Sequence, residues 1–299
     1  MICYVVLAHK LPAQVGRFAA RVAPSRVFLH VDARAPGPVW EEFGRTVAGH
    51  ENVSLLERVP SPWASWGSVR AQLAGLRAAV ESGCSHAVLA SGQDYLLRPA
   101  DEVDAYVSAS PSASWLTCAR VPVAWIGDRD GGMARFTSWH LPVRGRRVRL
   151  PLRRRLPSGL VPHYGHANSI VSTALAAWVL EEMHARPELE RFFRRTWTPD
   201  ELFLPTMAMA SPYADQVVNC DVYYTDWSAG GAHPRTFLTS DVGALVAAGH
   251  GRTQGMPGGM TKLLARKFDM SVDSTVLDAL DEQLLGLPPA PVRAGEETG

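Results

Sequence analysis

Lysine is nearly missing from this chain. Of its 30 basic residues only Lys10, Lys262 and Lys267 are lysine, and the other 27 are arginine, which reads as a coding bias of an Arg- and Ala-rich proteome. Excess charge is missing too. A formal net charge of +1 excludes a general polyanion binder. No apolar run reaches the roughly 20 residues that a membrane-spanning helix needs. The opening Ile2-Cys3-Tyr4-Val5-Val6-Leu7 has neither the basic leader nor the cleavage site of a signal peptide, so a cytoplasmic protein without an integral membrane segment is expected. Cys3, Cys84, Cys118 and Cys220 stand far apart in apolar surroundings, without the Cys or Cys/His spacing of a zinc site, which leaves buried free thiols as the expectation. There is no internal repeat.

What is present is enough apolar content, 46% of 299 residues, to bury a large core. Short apolar runs at 3–8, 27–31, 53–56 and 87–90 alternate with longer segments of helical period, a pattern that predicts a parallel sheet with crossover helices. The helix after Trp66 is the clearest: Val69, Leu73, Leu76 and Val80 recur at helical spacing and Gly83 stops the run. In such sheets ligands gather at the carboxyl ends of the strands, where His9, Asp32 and the turn from Ser91 to Asp94 fall. Residues 112–163 are rich in Trp, Gly, Pro and Arg and predict loops and short strands, the place to hold an acceptor. Helical patterning returns at 172–184, 187–194 and 201–209, a strand is predicted over 217–224, a Gly-rich linker over 249–259, and a disordered tail over 287–299.

Arg144, Arg146, Arg147, Arg149, Arg153, Arg154 and Arg155 crowd a stretch broken by Pro142, Pro151 and Pro157. This reads as a solvated, mobile loop rather than a phosphate or membrane-surface patch. A nucleic-acid module built on it would need RNP, KH or helix-turn-helix signatures, and none is there, so no nucleic-acid partner is expected.

Thr198-Pro199-Asp200-Glu201-Leu202-Phe203 sets two acids in the first turn of a helix. It matches a capping box, Thr198 with Glu201, and it equally offers Glu201 as a general base. Asp200 points elsewhere, because successive helical residues diverge. Asp32 suits a hydrogen bond to a nucleoside or a cap on the next helix. The one Asp-x-Asp sequence, Asp128-Arg129-Asp130, follows Trp125 in the irregular segment; at the fourth strand Ser91-Gly92-Gln93-Asp94 offers one acid where a divalent metal wants two. No metal site is expected.

Trp63-Ala64-Ser65-Trp66-Gly67-Ser68-Val69-Arg70-Ala71-Gln72-Leu73, His30-Val31-Asp32-Ala33-Arg34, Ser91-Gly92-Gln93-Asp94-Tyr95-Leu96-Leu97 and Leu264-Ala265-Arg266-Lys267-Phe268-Asp269 join the Pro-Asp-Glu segment. Together, in family order from about Ile2 to about Leu280, they resemble the core-2/I-branching β-1,6-N-acetylglucosaminyltransferases, a group that includes the peptide xylosyltransferases. The resemblance implies a nucleotide-sugar transferase GT-A fold: α/β, with a Rossmann-like, mixed and mainly parallel central sheet flanked by helices. It implies a single domain over residues 1–286, with a nucleotide-binding half (1–110) and an acceptor-binding, catalytic half (111–286).

By the same resemblance Glu201 is the catalytic base. Ala8, His9, Asp32, Trp66 and Asp94 bind the donor, Arg235 and Lys267 neutralise its diphosphate in place of a metal, and Asp200, Tyr224 and Trp227 meet the acceptor. The bland counterpart for Lys267 is an ion pair with Asp269 or Asp273, and for Tyr224 and Trp227 it is core packing. The implied reaction is metal-independent, inverting transfer of N-acetylglucosamine, or next xylose, from a UDP-sugar to a hydroxyl of a natural product, glycan or peptide, with a β linkage and no cofactor. The alternative from another class is a catalytically inactive nucleotide- or glycan-binding protein in which Glu201 only caps. Tyr164-Gly165-His166-Ala167-Asn168 departs from the family's Gly-Ser-x-Trp, so no acceptor is implied. The membrane anchoring and disulfides of animal relatives do not carry over either.

Overall fold

The computed structural model describes residues 1–143, 146–231, 233–251 and 262–288. The chain opens β1 (Cys3–Ala8), α1 (Pro12–Arg21), β2 (Arg26–Val31), α2 (Gly37–Ala48), β3 (Val53–Leu55), α3 (Trp66–Glu81), β4 (His86–Ser91). β1 pairs parallel with β2 and β4, Val5 standing opposite Phe28 and Leu89, and β3 adds parallel to β2. The strand alternation divides the core into two layers. Tyr4, Val6 and Ala8 of β1 pack with Val15 and Phe18 of α1 and Phe43 of α2; Cys3 and Val5 pack with Val69 and Leu76 of α3. Burying each of the larger apolar side chains contributes about 1.5–3 kcal/mol, which is why runs apolar on both faces become central strands. α3 begins at Ser65, whose side chain accepts from the Gly67 N–H, and is followed by Gly83 at φ +73°, the stop that the sequence predicts.

The chain continues β5 (Asp94–Leu96), α4 (Ala100–Ser108), β6 (Ser114–Leu116), β7 (Ala119–Arg120), α5 (Met133–Thr137), β8 (Ser138–Val143), β9 (Arg146–Arg153), β10 (His163–Tyr164), β11 (Ser169–Ser172), α6 (Thr173–Ala185), α7 (Pro187–Phe193) and α8 (Pro199–Ala210). It ends β12 (Val217–Asn219), β13 (Tyr223–Thr225), α9 (Val242–His250), β14 (Leu264–Arg266) and α10 (Thr275–Gln283). The large sheet runs β12-β6-β11-β4-β1-β2-β3, parallel except for β11, which is antiparallel to both neighbours. A small sheet, β13-β14-β5, brings the C-terminal Arg266 opposite Asp94. This is the mixed, mainly parallel α/β architecture expected. No helix among the described residues is long and apolar enough to cross a membrane, and the four cysteines are buried and unpaired.

Two expectations need correction. The strand predicted over 217–224 is two strands in different sheets: Asp221 Oδ1 accepts from the Tyr223 N–H at 2.9 Å, an Asx-type turn that redirects the chain between β12 and β13. The arginine-rich stretch is not a loop where it is described. It forms the antiparallel β8–β9 hairpin, whose free edges tolerate Pro151. Arg154 then ties the end of the hairpin to the body, its Nη2 donating to the Phe192 carbonyl at 2.6 Å and its guanidinium lying 3.9 Å over the Phe192 ring. Arg144, residues 252–259 of the Gly-rich segment and residues 289–299 of the tail lie outside the described residues.

Candidate active site

Two contiguous cavities, about 370 and 280 Å³, open at the carboxyl ends of β1, β2 and β4 and share His9, Lys10, Trp63, Gln93 and Arg266. The smaller takes in Ala8, Asp32 and Gly92; the larger takes in Asp200, Glu201, Trp227, His233 and Lys267. Parallel strands explain the place, because β1 and its neighbours end together and their following turns must spread apart.

Asp32 ends β2. Burial pushes its carboxyl up, but Arg34, through its side chain and N–H, and the Ser61 N–H outweigh this and pull it down to about 2. It is ionised, buried and already supplied with donors. Burial, with Lys10's charge behind it, lowers the His9 imidazole, which is neutral at neutral pH.

Asp94 does not face the cleft. It is fully buried, and its oxygens accept from the Ser91 N–H (2.8 Å), Ser91 Oγ (2.6 Å) and Asn168 Nδ2 (2.7 Å). Burial nevertheless raises its pKa. What it does is orient: Asn168 Oδ1 in turn accepts from Arg266 Nη1, so Asp94 holds Asn168 and Asn168 holds the arginine at the cleft. Asp128 pairs with Arg135, and Asp130 accepts from the Gly132 and Ala134 N–H groups, so the Asp-x-Asp sequence serves a loop and the start of α5. Among the described residues no group of three or more His, Cys, Asp or Glu side chains is placed to hold a metal ion.

Three cations line the larger cavity: Lys10, Arg266 and Lys267. Lys10 pairs with Asp269, one of the two acids weighed as an ion-pair partner for Lys267. Lys267 itself has no carboxylate partner among the described residues, and its pKa is lowered, first by burial and then by the charges of Lys10 and Arg266. A lysine crowded by like charge favours the arrival of an anion. Arg235 stands apart. Its Nε donates to Asp226 at 2.6 Å and its two terminal nitrogens to Asp241 at 2.7 Å each. With the fork spent on two carboxylates, only its neighbours His233 and Pro234 reach the cleft.

Glu201 sits in the first turn of α8, and the way that turn is built rules against simple capping. Thr198 has φ 47° and ψ 60°, left-handed geometry that is unusual for a β-branched residue, and its side chain makes no cap bond to the helix. Its Oγ1 accepts instead from Arg135 Nη1 at 3.0 Å, and the same nitrogen donates to Glu201 Oε2 at 3.1 Å. Arg135 is held in turn by Asp128 Oδ2 at 2.6 Å and lies 5.4 Å over the Tyr164 ring.

Further along α8, Pro205 has no N–H to give to the Glu201 carbonyl four residues before it. The Gly165 N–H takes that acceptor at 2.9 Å. A side chain on Gly165 would put Cβ 1.9 Å from the Thr117 carbonyl oxygen, so only glycine allows the approach. The other non-glycine residues with positive φ, Leu11 (60°) and Ala64 (55°), adjoin Lys10 and Trp63. All three strained positions among the described residues therefore border the cleft, where such strain tends to collect.

The profile of the Core-2/I-Branching enzyme family matches residues 2–246. The chain belongs to this family. It is a glycosyltransferase. No curated protein matches it. Solved structures resemble it distantly, two of them as follows. One is a protein assigned as a glucose-1-phosphate thymidylyltransferase from Bacillus anthracis, in complex with a sucrose: TM-score 0.34, 10% identity, 64% of this chain and 80% of that one. The other is a mannose-1-phosphate geranyltransferase from Thermus thermophilus: TM-score 0.32, 11% identity, 64% of this chain and 66% of that one.

In this core-2/I-branching enzyme the structure brings Ala8, His9, Asp32, Asp200, Glu201, Trp227 and Lys267 together and leaves four other expected residues off the cleft. Beside Asp94 and Arg235, these are Trp66 and Tyr224. Trp66 is buried against Phe193 and Phe203 with its Nε1 donating to Glu190. Tyr224 stacks on Phe237, 5.6 Å between centroids, so of the expected aromatic pair only Trp227 is presented to the cleft. Lys10, Trp63, Arg135 and Arg266 are the residues that sequence reasoning missed. Lys10 carried a signal, its place just past the end of β1. Arg135 carried none.

Proposed function

We propose that this glycosyltransferase performs a metal-independent, inverting transfer from a UDP-sugar, N-acetylglucosamine first and xylose next, to an acceptor hydroxyl. Glu201 takes the hydroxyl proton as the oxygen attacks the anomeric carbon. The bond from that carbon to the diphosphate oxygen breaks on the opposite face, leaving a β linkage and UDP, whose new charge lies against Lys267, Arg266 and Lys10. The observation that carries the reading is that one cleft holds the Glu201 carboxylate and these three cations. Lys10 and Arg266 replace Arg235 in this assignment.

Residues 1–110 supply the nucleoside side through Ala8, His9 and Asp32. Residues 111–286 supply the base, Asp200 and Trp227 for the acceptor, and two of the cations. The acceptor is a natural product, glycan or peptide, and the compartment is the cytoplasm, which fractionation checks. A screen of UDP-sugars read by mass spectrometry, scoring slow donor hydrolysis, tests the donor: release of UDP from UDP-N-acetylglucosamine is expected, and hydrolysis of none of them sinks the proposal. The rate should persist in excess EDTA; loss restored by Mn²⁺ would return attention to Asp94 and Asp128.

A further inference from the structure

Across Arg135 from the cleft lies another cavity, about 510 Å³, floored by α5 and walled by the β8–β9 hairpin. Its acids are occupied: Asp128 by Arg135, and Asp130 by the Gly132 and Ala134 N–H groups. Arg135 is balanced by Asp128 and Glu201. Two guanidiniums remain, Arg129 and Arg149. Neither has a carboxylate partner among the described residues, and Arg149 gives only its Nε, to Ser138 Oγ at 3.1 Å. Two unspent planar forks on one cavity match the oxygens of a carboxylate or phosphate.

The cavity and the cleft are neighbours, their walls in contact at two places. Arg135 lines it and donates to Glu201 Oε2, and Trp197 of its wall packs edge-on against Trp63 of the cleft, 5.8 Å between centroids. A molecule long enough to cross these two side chains can present a hydroxyl to Glu201 and set its far end in this space. We propose, on the reading of Glu201 as base, that the cavity is an acceptor subsite recognising a carboxylate or phosphate group borne by the acceptor. This narrows the acceptor to an anionic molecule.

Calorimetry on the full chain with saturating UDP in the cleft tests this, using glucose 6-phosphate, glucuronate and glucose as probes. At least one of the two anions is expected to bind about tenfold or more tightly than glucose, and which one distinguishes phosphate from carboxylate. The double variant Arg129→Gln, Arg149→Gln should lose that preference with melting temperature and UDP affinity retained, whereas Lys267→Ala should keep it. Equal affinity for glucose and both anions, or a preference that survives in the double variant, overturns the subsite. Failure of UDP to bind, with an arginine-dependent anion preference intact, overturns the donor assignment alone.

Discussion

Along β1, β2 and β4 the cleft is shaped by what the main chain does by itself: the ladder runs on past the strands, the Asp32 N–H donating to Ala8 and the Gly92 N–H to Leu7, each at 2.9 Å. Along α8 it is shaped by groups brought from far away. Arg135 reaches back to Thr198 and Glu201, and Gly165 replaces the bond that Pro205 cannot make. The first wall is over-determined by many equivalent backbone bonds, so a side chain changed there leaves the wall itself in place. The second hangs on a few single contacts, so one change there moves the chemistry.

The sharpest test on the α8 wall is Glu201→Gln. Turnover should fall at least about a hundredfold, the scale of general-base catalysis, with UDP affinity and melting temperature near wild type, because Glu201 does not act as a cap here. An unchanged kcat would remove the base assignment and favour a silent binding protein. Next is Lys267→Ala, which should weaken UDP binding by about 1.5–3 kcal/mol through loss of a charge-assisted contact, read by calorimetry. Equal affinity in the variant would leave Lys267 a bystander. Gly165→Ala has no room at the Thr117 carbonyl and should cost about 1–3 kcal/mol of stability, with turnover reduced as well. A melting temperature within error of wild type would show that the α8 wall is less constrained than its contacts imply.

Away from α8 the effects are smaller. Asp32 has its pKa depressed, so its stabilisation is complete above its ordinary value near 3.8 and is lost as pH falls through about 2. Allowing for the half-exposed Arg34, that is about 1–2 kcal/mol, and Asp32→Asn should flatten acid unfolding in this window. Least of all is Arg235→Ala: with its fork on Asp226 and Asp241 at the rim, the loss should be at most about 1 kcal/mol of stability. UDP affinity should not change. A large drop in that affinity would mean that Arg235 leaves its acids when nucleotide binds.

The same contrast sets how much was legible in the sequence. Strands apolar on both faces and the Val69–Leu76 spacing of α3 are local signals, and the first half of the sheet, with His9 and Asp32 at its edge, follows from them. Choosing between Trp63 and Trp66 is not local. Ala64 turns through left-handed geometry between them and leaves Trp63 more than half exposed while Trp66 goes to the core. Tyr224 and Trp227 part for a similar reason, since Tyr224 finds Phe237 thirteen residues on. Arg235 carried a hint in Asp226 and Asp241, close enough in sequence to claim it. The partner of Glu201, by contrast, comes from 66 residues away, and no periodicity records such a distance.

Pro205 and Gly165 also limit how this enzyme can change length. Since Pro205 never reclaims the Glu201 carbonyl, Gly165 has one acceptor to dock on. Adding or deleting one residue between 201 and 205 would present a different carbonyl and swing the carboxylate by about 100° around the helix axis. The spacing of that short interval, more than the side chains within it, decides where Glu201 points.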